Sequence, residues 1–237
     1  MRLEELIQST QKVSRKELKR IFAKGLVRVD GQIERNISRN VDSNLHQISL
    51  NQRLLTTKER YYILNKPKGV VTANKDAQYP TVFDCLHAND RCNQLKFVGR
   101  LDRQTEGLLL LTTNGQLAYD LLQPNQKVSK TYEVWLKEAA EYADIDRFKA
   151  GITFLDGTKC QSAQLTLLGT APFHHVQVTI QEGKFHQVKK MFLSVGKKVE
   201  ELKRITFGPL VLDDTLAVGQ YRRLTIEELQ RLKPYFR

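Results

Sequence analysis

"VGRLDRQTEGLLLLTTNG", residues 98–115, places Arg100, Asp102, Arg103 and Glu106 immediately ahead of four consecutive leucines, Leu108–Leu111. The leucines read as a strand about to be buried, so charged side chains stand at its mouth. Taken alone, Asp102 is a turn aspartate, capped by local backbone amides and paired with Arg100 or Arg103. The alternative is chemical. A carboxylate held between arginines stays ionised beside a polyanion and is a competent nucleophile or base at neutral pH.

The balance of charge speaks for a polyanion. The 237 residues carry a net charge of +12 and a pI of about 9.6, and a strongly basic chain most often meets nucleic acid. A hydrophobic content of 41% with 8% aromatics is that of a folded protein, with room for one large domain or a small one joined to a medium one. No apolar stretch approaches the roughly 20 residues of a membrane helix, and the opening "MRLEELIQST" lacks a secretory core, so a cytoplasmic protein without a membrane partner is expected. Cys85, Cys92 and Cys160 are an odd set without a Cys-x-x-Cys. His174 and His175 would point to opposite faces of a strand, so no metal site is expected.

The charge is concentrated at the amino terminus. Residues 1–58 hold twelve Lys or Arg against six Asp or Glu, half the net charge in a quarter of the chain. Within them "SRKELKRIFAKG" (14–25) predicts a short helix, with Ser14 and Glu17 at capping-box spacing and Gly25 placed to end it. Leu18, Ile21 and Phe22 form its apolar face; Arg15, Lys16, Lys19 and Arg20 form another. "LVRVDGQI" (26–33) alternates around Asp30–Gly31, a hairpin signal. A basic helix beside a basic hairpin suits phosphate contacts better than mere solvation, with Lys24 and Arg28 belonging to the same surface.

"LNQRLLTTKER" (50–60) reads as a polar connector into "YYILNKPKGVVTA" (61–73), a strand, a Lys66–Gly69 turn and a second strand. "LKFVGRLD" (95–102) is a short strand entering the charged motif and "EGLLLLTTN" (106–114) a strand leaving it. "GQLAYDLL" (115–122) suits a helix stopped at Pro124; "KTYEVWL" (130–136) and "HHVQVTIQ" (174–181) alternate as strands do. "EGKFHQVKKMFLSVG" (182–196) predicts a helix with Val188, Met191, Phe192 and Val195 inward and His186, Lys189 and Lys190 on another face. The strand "VEELKRITFG" (199–208) and a helix opened by Thr225 and Glu228 complete the chain. Strands outnumber helices and short turns join several, which predicts an α+β fold around a largely antiparallel mixed sheet.

The first segment, with its basic helix and "KGLVRVDG" hairpin, resembles the S4 RNA-binding domain. "GRLDRQTEGLLLLTTNG", preceded by "LNKPKGVV" and followed by "KTYEVWL", "EGKFHQVKKMF" and "RITFGPL", resembles the RsuA branch of the pseudouridine synthases over nearly all of residues 60–237. The resemblance implies an S4-type domain over residues 1–58 and a pseudouridine synthase domain over 59–237. It implies that Asp102 is the catalytic aspartate and that Arg100 displaces the target base and holds its phosphate. Tyr132 matches the tyrosine that stacks on uracil and is the candidate for taking its C5 proton. Lys189 falls where the family sets a basic partner for the aspartate, arginine in many members; a lysine there is a point charge rather than a bidentate fork. "TTNG" (112–115) and "QP" (123–124) depart from the commoner "TNDG" and "HP", and, lying beside the site, both are expected to bear on substrate choice.

The chemistry fits these residue types. Uridine must lose its N1–C1′ bond, turn its base and bond C5 to C1′, without net oxidation or hydrolysis. No nucleotide-binding glycine loop is present, and no cofactor or metal is expected. A base inside a helix must be flipped out at a cost of a few kcal/mol. Glu106, four residues from Asp102, could suggest a glycosidase-like acid–base pair, but across a turn the two need not converge, and Glu106 is expected to hold the loop through arginine or backbone contacts. The resemblance implies a monomer acting on ribosomal RNA or an assembly intermediate. The short chain, without a long basic tail, favours 16S rRNA; a 23S rRNA enzyme of the same branch and a non-catalytic RNA-binding assembly factor are the alternatives.

Overall fold

The computed structural model describes residues 1–236. Its amino-terminal part consists of α1 (Leu3–Gln11), α2 (Arg15–Ala23) and the strands β1 (Val27–Val29), β2 (Gln32–Ile33), β3 (Ile48–Leu50) and β4 (Arg53–Leu55). The strands form an antiparallel sheet in the order β2-β1-β3-β4. Leu3, Leu6 and Ile7 of α1 and Leu18 and Phe22 of α2 share a core with Val27, Val29, Ile48 and Leu55. The capping box expected for α2 is formed: Ser14 Oγ accepts from Glu17 N and the Glu17 carboxylate accepts from Ser14 N. Asp30 and Gly31 both have positive φ, 52° and 79°, as a two-residue turn matching strand twist requires.

The expected polar connector instead contains β4. Its turn uses Asn51 and Gln52, both left-handed at φ 47° and 67°, and no glycine announces it. The second hairpin was therefore silent in the sequence, although asparagine tolerates that conformation.

The larger part carries β5 (Tyr61–Lys66), β6 (Lys96–Val98), β7 (Glu106–Thr112), α3 (Gly115–Leu122), β8 (Lys130–Ala140), α4 (Tyr142–Ala150), β9 (Gln164–Leu167), β10 (Phe173–Ile180), α5 (Gln187–Ser194), β11 (Val199–Phe207), β12 (Leu210–Val211), β13 (Tyr221–Arg223) and α6 (Ile226–Arg231). The sheet order is β13-β5-β7-β11-β8-β10-β9, with β6 on β7 and β12 on β11. Among the described residues β7 and β11 are its parallel pair and the other ladders run antiparallel. The α+β fold with mixed sheets is as expected.

β7 lies between β5 and β11, and its four leucines are fully buried. Leu109 and Leu111 join one core with Val134 and Phe192; Leu108 and Leu110 join another with Leu117, Leu121 and Phe207. Burial on both faces explains why this strand reads as an unbroken apolar run.

Two expected elements are shorter than their patterns suggest. Residues 70–73 do not form a strand; Val71 makes a single bridge to Thr81, because the segment turns to hold the loop that carries Asp102. The helix expected from Glu182 starts at Gln187, since residues 182–186 are pinned as a loop.

A buried polar junction joins the two sheets. Asn114, which caps α3 by accepting from Leu117 N, donates to Asn40 Oδ1 at 3.0 Å and to Tyr61 Oη at 3.3 Å. Tyr61 donates to Asp42 Oδ2 at 2.7 Å, and its phenol is pushed upward by burial and by the Asp42 charge. Arg2 Nε donates to Gln116 at 2.9 Å and the terminal amine pairs with Glu59 at 3.1 Å. "TTNG" therefore bears on how the halves are joined, while Gln123 and Pro124 line the cleft described next.

Candidate active site

Asp102 sits on a loop, residues 99–105, gripped from behind by the turn after β5. The buried Lys66 ammonium donates to the carbonyls of Pro67 at 2.9 Å, Thr105 at 3.0 Å and Arg103 at 3.4 Å. Gly69 N donates to the Arg103 carbonyl at 2.9 Å. The Thr72 hydroxyl donates to the Leu101 carbonyl and accepts from Leu101 N. Burial pushes the Lys66 ammonium down to about 8, opposed by the charges of Cys85, Asp102 and Glu106.

Held this way, the Asp102 carboxylate is not occupied in capping its own turn. Its backbone carbonyl accepts from Thr105 N, while its side-chain oxygens meet α5: Oδ2 lies 3.7 Å from Lys189 Nζ and Oδ1 lies 3.5 Å from His186 Nε2. Neither adjacent arginine pairs with it. Arg103 lies over the Tyr79 ring at 4.2 Å; Arg100 is exposed and makes no ion pair among the described residues. The arrangement differs from a capped turn in the way a reacting carboxylate would require.

Asp102, Arg100, Tyr132 and Lys189 line one cleft of about 800 Å³. Tyr132 is nearly buried on β8, in register with Val178 of β10 and Arg204 of β11. Arg204 is 1% exposed. It donates from Nε to the Leu108 carbonyl at 2.8 Å and lies 5.1 Å from the Phe207 ring centre. Burial pushes its guanidinium downward, and the Tyr132 oxygen opposes that push by accepting from it. Lys130, also lining the cleft, is pushed down to about 8 by burial and by the Arg204 charge. A pocket lined by the Asp102 and Glu182 carboxylates, several cations and a nearly buried phenol is suited to an anionic, planar substrate.

The sequence model of the RNA pseudouridylate synthase family matches residues 60–194, a span that includes the Asp102 loop, Tyr132 and Lys189. The chain belongs to that family. A Bacillus subtilis relative, described as an uncharacterized RNA pseudouridine synthase, is 39% identical, with 98% of each chain covered. The ribosomal small subunit pseudouridine synthase A of Vibrio parahaemolyticus is 36% identical over 97% of this chain and 98% of its own. A crystal structure of a pseudouridylate synthase superposes with a TM-score of 0.69 at 32% identity, covering 98% of this chain and 99% of that one.

In this pseudouridine synthase the six basic residues read as phosphate contacts, Arg15, Lys16, Lys19, Arg20, Lys24 and Arg28, are all exposed on the amino-terminal part, and none lines the cleft. Arg28 donates to the Gly31 carbonyl at 2.8 Å. Glu106 opens β7 opposite Lys203 and does not line the cleft, so it forms no acid–base pair with Asp102. Its hold on the loop is exerted as charge on Lys66 and Lys68, not through the arginine or backbone contacts expected. Lys190 also departs from the expected face: it pairs with Asp156 at 3.3 Å, whereas Lys189 turns to Asp102.

Lys66, Arg204 and the placement of His186 were not found by reading the sequence as site residues. For Arg204 a signal existed, since it falls in register with Leu202 on the buried face of β11. For Lys66 the signal was a lysine closing a strand that opens with four apolar or aromatic residues, Tyr61–Leu64. His186 carried none, because its left-handed φ of 53° breaks the helical pattern in which it was read.

Proposed function

We propose that this chain isomerises a uridine of small-subunit (16S) ribosomal RNA to pseudouridine, with Asp102 as the carboxylate that acts on the ribose. The supporting observation is that Asp102 faces Lys189 and His186 across the cleft instead of capping its own turn. The N1–C1′ bond breaks, the uracil turns, C5 bonds to C1′, and the proton lost from C5 is balanced by one gained at N1. Lys189, 3.7 Å from Oδ2, orients the carboxylate. Tyr132, with most of its surface covered, supports the uracil and receives the C5 proton. Arg100, exposed and unpaired among the described residues, takes the place of the displaced base and holds its phosphate, offsetting the cost of flipping.

Residues 1–58 act as an S4-type RNA-binding domain and 59–237 as the catalytic domain. A separate core under α1 and α2 and six exposed cations support that division. The substrate assignment draws on the relatives described as ribosomal small subunit pseudouridine synthases.

Pseudouridine mapping of 16S and 23S rRNA from cells lacking the gene tests this reading. One 16S position is expected to revert to uridine, to be restored by the wild-type gene, and not by Asp102→Asn, which keeps size and removes charge. Unchanged 16S rRNA, or restoration by the asparagine variant, would overturn it.

A further inference from the structure

Apolar side chains exposed singly are ordinary on a protein surface, so those at the cleft are read by what they touch. Among the described residues Phe185 and Leu122 are exposed and line the cleft; Phe185, the aromatic one, is 74% exposed. Its ring centre lies 3.9 Å from that of His186 with 18° between the planes. His186 in turn places Nε2 3.5 Å from Asp102 Oδ1. The two rings are therefore stacked face to face: His186, beside the Asp102 carboxylate, covers one face of Phe185, and the exposed Phe185 ring ends the stack on the solvent side.

The loop that presents this surface is fixed. Gln187, itself 4% exposed, accepts from Lys184 N at 2.8 Å and donates to Glu182 at 2.7 Å. Glu182 also accepts from Gln161 N at 2.9 Å and pairs with the Lys184 ammonium. His186 is held left-handed at φ 53°, a conformation uncommon outside glycine but one that histidine tolerates better than most residues. These contacts fix the backbone that carries Phe185, whose ring stands in solvent. Cations flank the ring: Lys190 Nζ lies 5.8 Å from its centre, and Lys184 and Lys189 lie within four residues along the chain.

We propose that Phe185 and His186 form a stacking ledge for the nucleobase next to the target uridine. The proposal rests on the RNA-modifying reading above and names a contact which that reading does not contain. When a uridine leaves its stack, its neighbour loses a stacking face, and an aromatic ledge at the mouth of the cleft replaces it. Surrounding lysines suit the phosphates on either side of that base, which distinguishes a nucleotide from an apolar peptide as the occupant. Seating the base also immobilises His186, so the ledge couples recognition of a neighbour to the orientation of Asp102.

A binding cycle tests the ledge. Wild type, Phe185→Ala and Phe185→Trp are compared by fluorescence anisotropy on a 16S-derived stem–loop carrying the uridine. Matching RNAs lack the base at its 5′ or its 3′ neighbour. A stacked base contributes roughly 1–3 kcal/mol by alanine substitution, so Phe185→Ala should raise Kd on the intact RNA about 5- to 150-fold. Tryptophan should retain affinity. On the RNA abasic at one of the two neighbours, the alanine effect should disappear. No change with alanine, or an equal loss on the intact and both abasic RNAs, would overturn the ledge. Because the readout is binding, a wild-type protein that makes no pseudouridine would overturn the proposed function while leaving the cycle readable.

Discussion

Lys66 in β5 donates a 3.0 Å hydrogen bond to the carbonyl of Thr105, three residues beyond Asp102, from a fully buried position. With its bonds to Pro67 and Arg103, this ammonium determines where the Asp102 loop sits. Lys66→Met keeps the length of the side chain and removes the grip. Displacement of a reacting group by about 1 Å can cost on the order of 100-fold in rate, so kcat should fall at least tenfold with the fold retained by circular dichroism.

The same residue gives a stability trend with a definite sign. Its folded ammonium titrates near 8, below the ordinary lysine range, so between about pH 8 and 10.5 the unfolded chain binds more protons than the folded one. This group's contribution to stability therefore rises with pH across that window and is at its lowest below it. Lys66→Met should flatten the rise in part, with Lys130, pushed down to about 8 as well, supplying the remainder. Urea midpoints for both proteins at pH 7.5 and 9.5 measure the difference.

Gly107 stands where β7 meets β11, and a Cβ there would lie 2.2 Å from the Arg204 carbonyl oxygen. Its φ of 105° adds a strain that no other residue accepts comfortably. Gly107→Ala must separate the parallel strands, with a destabilisation of about 3 kcal/mol or more. Thermal denaturation reads it as a fall in Tm; an unchanged Tm would contradict the close approach.

On the proposed reading the basic face of α2 grips substrate equally before and during reaction, so removing it should raise KM more than it lowers kcat. Lys16→Glu with Arg20→Glu should weaken RNA binding and reduce the slope of log K against log salt by about one for each phosphate no longer neutralised. Activity should return at saturating RNA. A fall in kcat at unchanged KM and salt slope would make that face structural.

Asn114→Ala removes the α3 cap, worth about 0.5–2 kcal/mol, and strips Asn40 and Tyr61 of a buried partner. The combined loss should be about 2–4 kcal/mol in urea denaturation. Asn114→Asp keeps the cap but sets a carboxylate beside the Asn40 carbonyl oxygen, and should rescue only part of the loss.

Elements defined by local pattern were legible from the residues. The Ser14–Glu17 box, the Asp30–Gly31 turn and the buried leucines of β7 each follow from spacing and turn chemistry. Asp102 was legible as an acid out of keeping with its turn, and Lys189 as its partner through the family resemblance. His186 was not, because it comes from a loop more than eighty residues away whose backbone breaks the helical pattern. The Asn51–Gln52 hairpin and the early loop at 182–186 were hidden for one reason: non-glycine residues occupy left-handed backbone that tertiary contacts enforce. Arg204 was hidden by its type, since a cation in a core position is read as solvent-facing until its acceptors are seen.

The strand that follows Asp102 has no solvent side. Leu108 and Leu110 face one core, Leu109 and Leu111 the other, so a polar residue at any of the four damages one core or the other, and a one-residue slip damages both together. The Asp102 loop is thereby anchored to a segment with almost no mutational freedom. Across the cleft, at Leu122, Gln123 and Phe185, side chains are partly or largely in water, so change there costs the fold little and acts on what the cleft binds. Descendants of this sequence can thus remodel the rim while inheriting Asp102 and its loop unaltered.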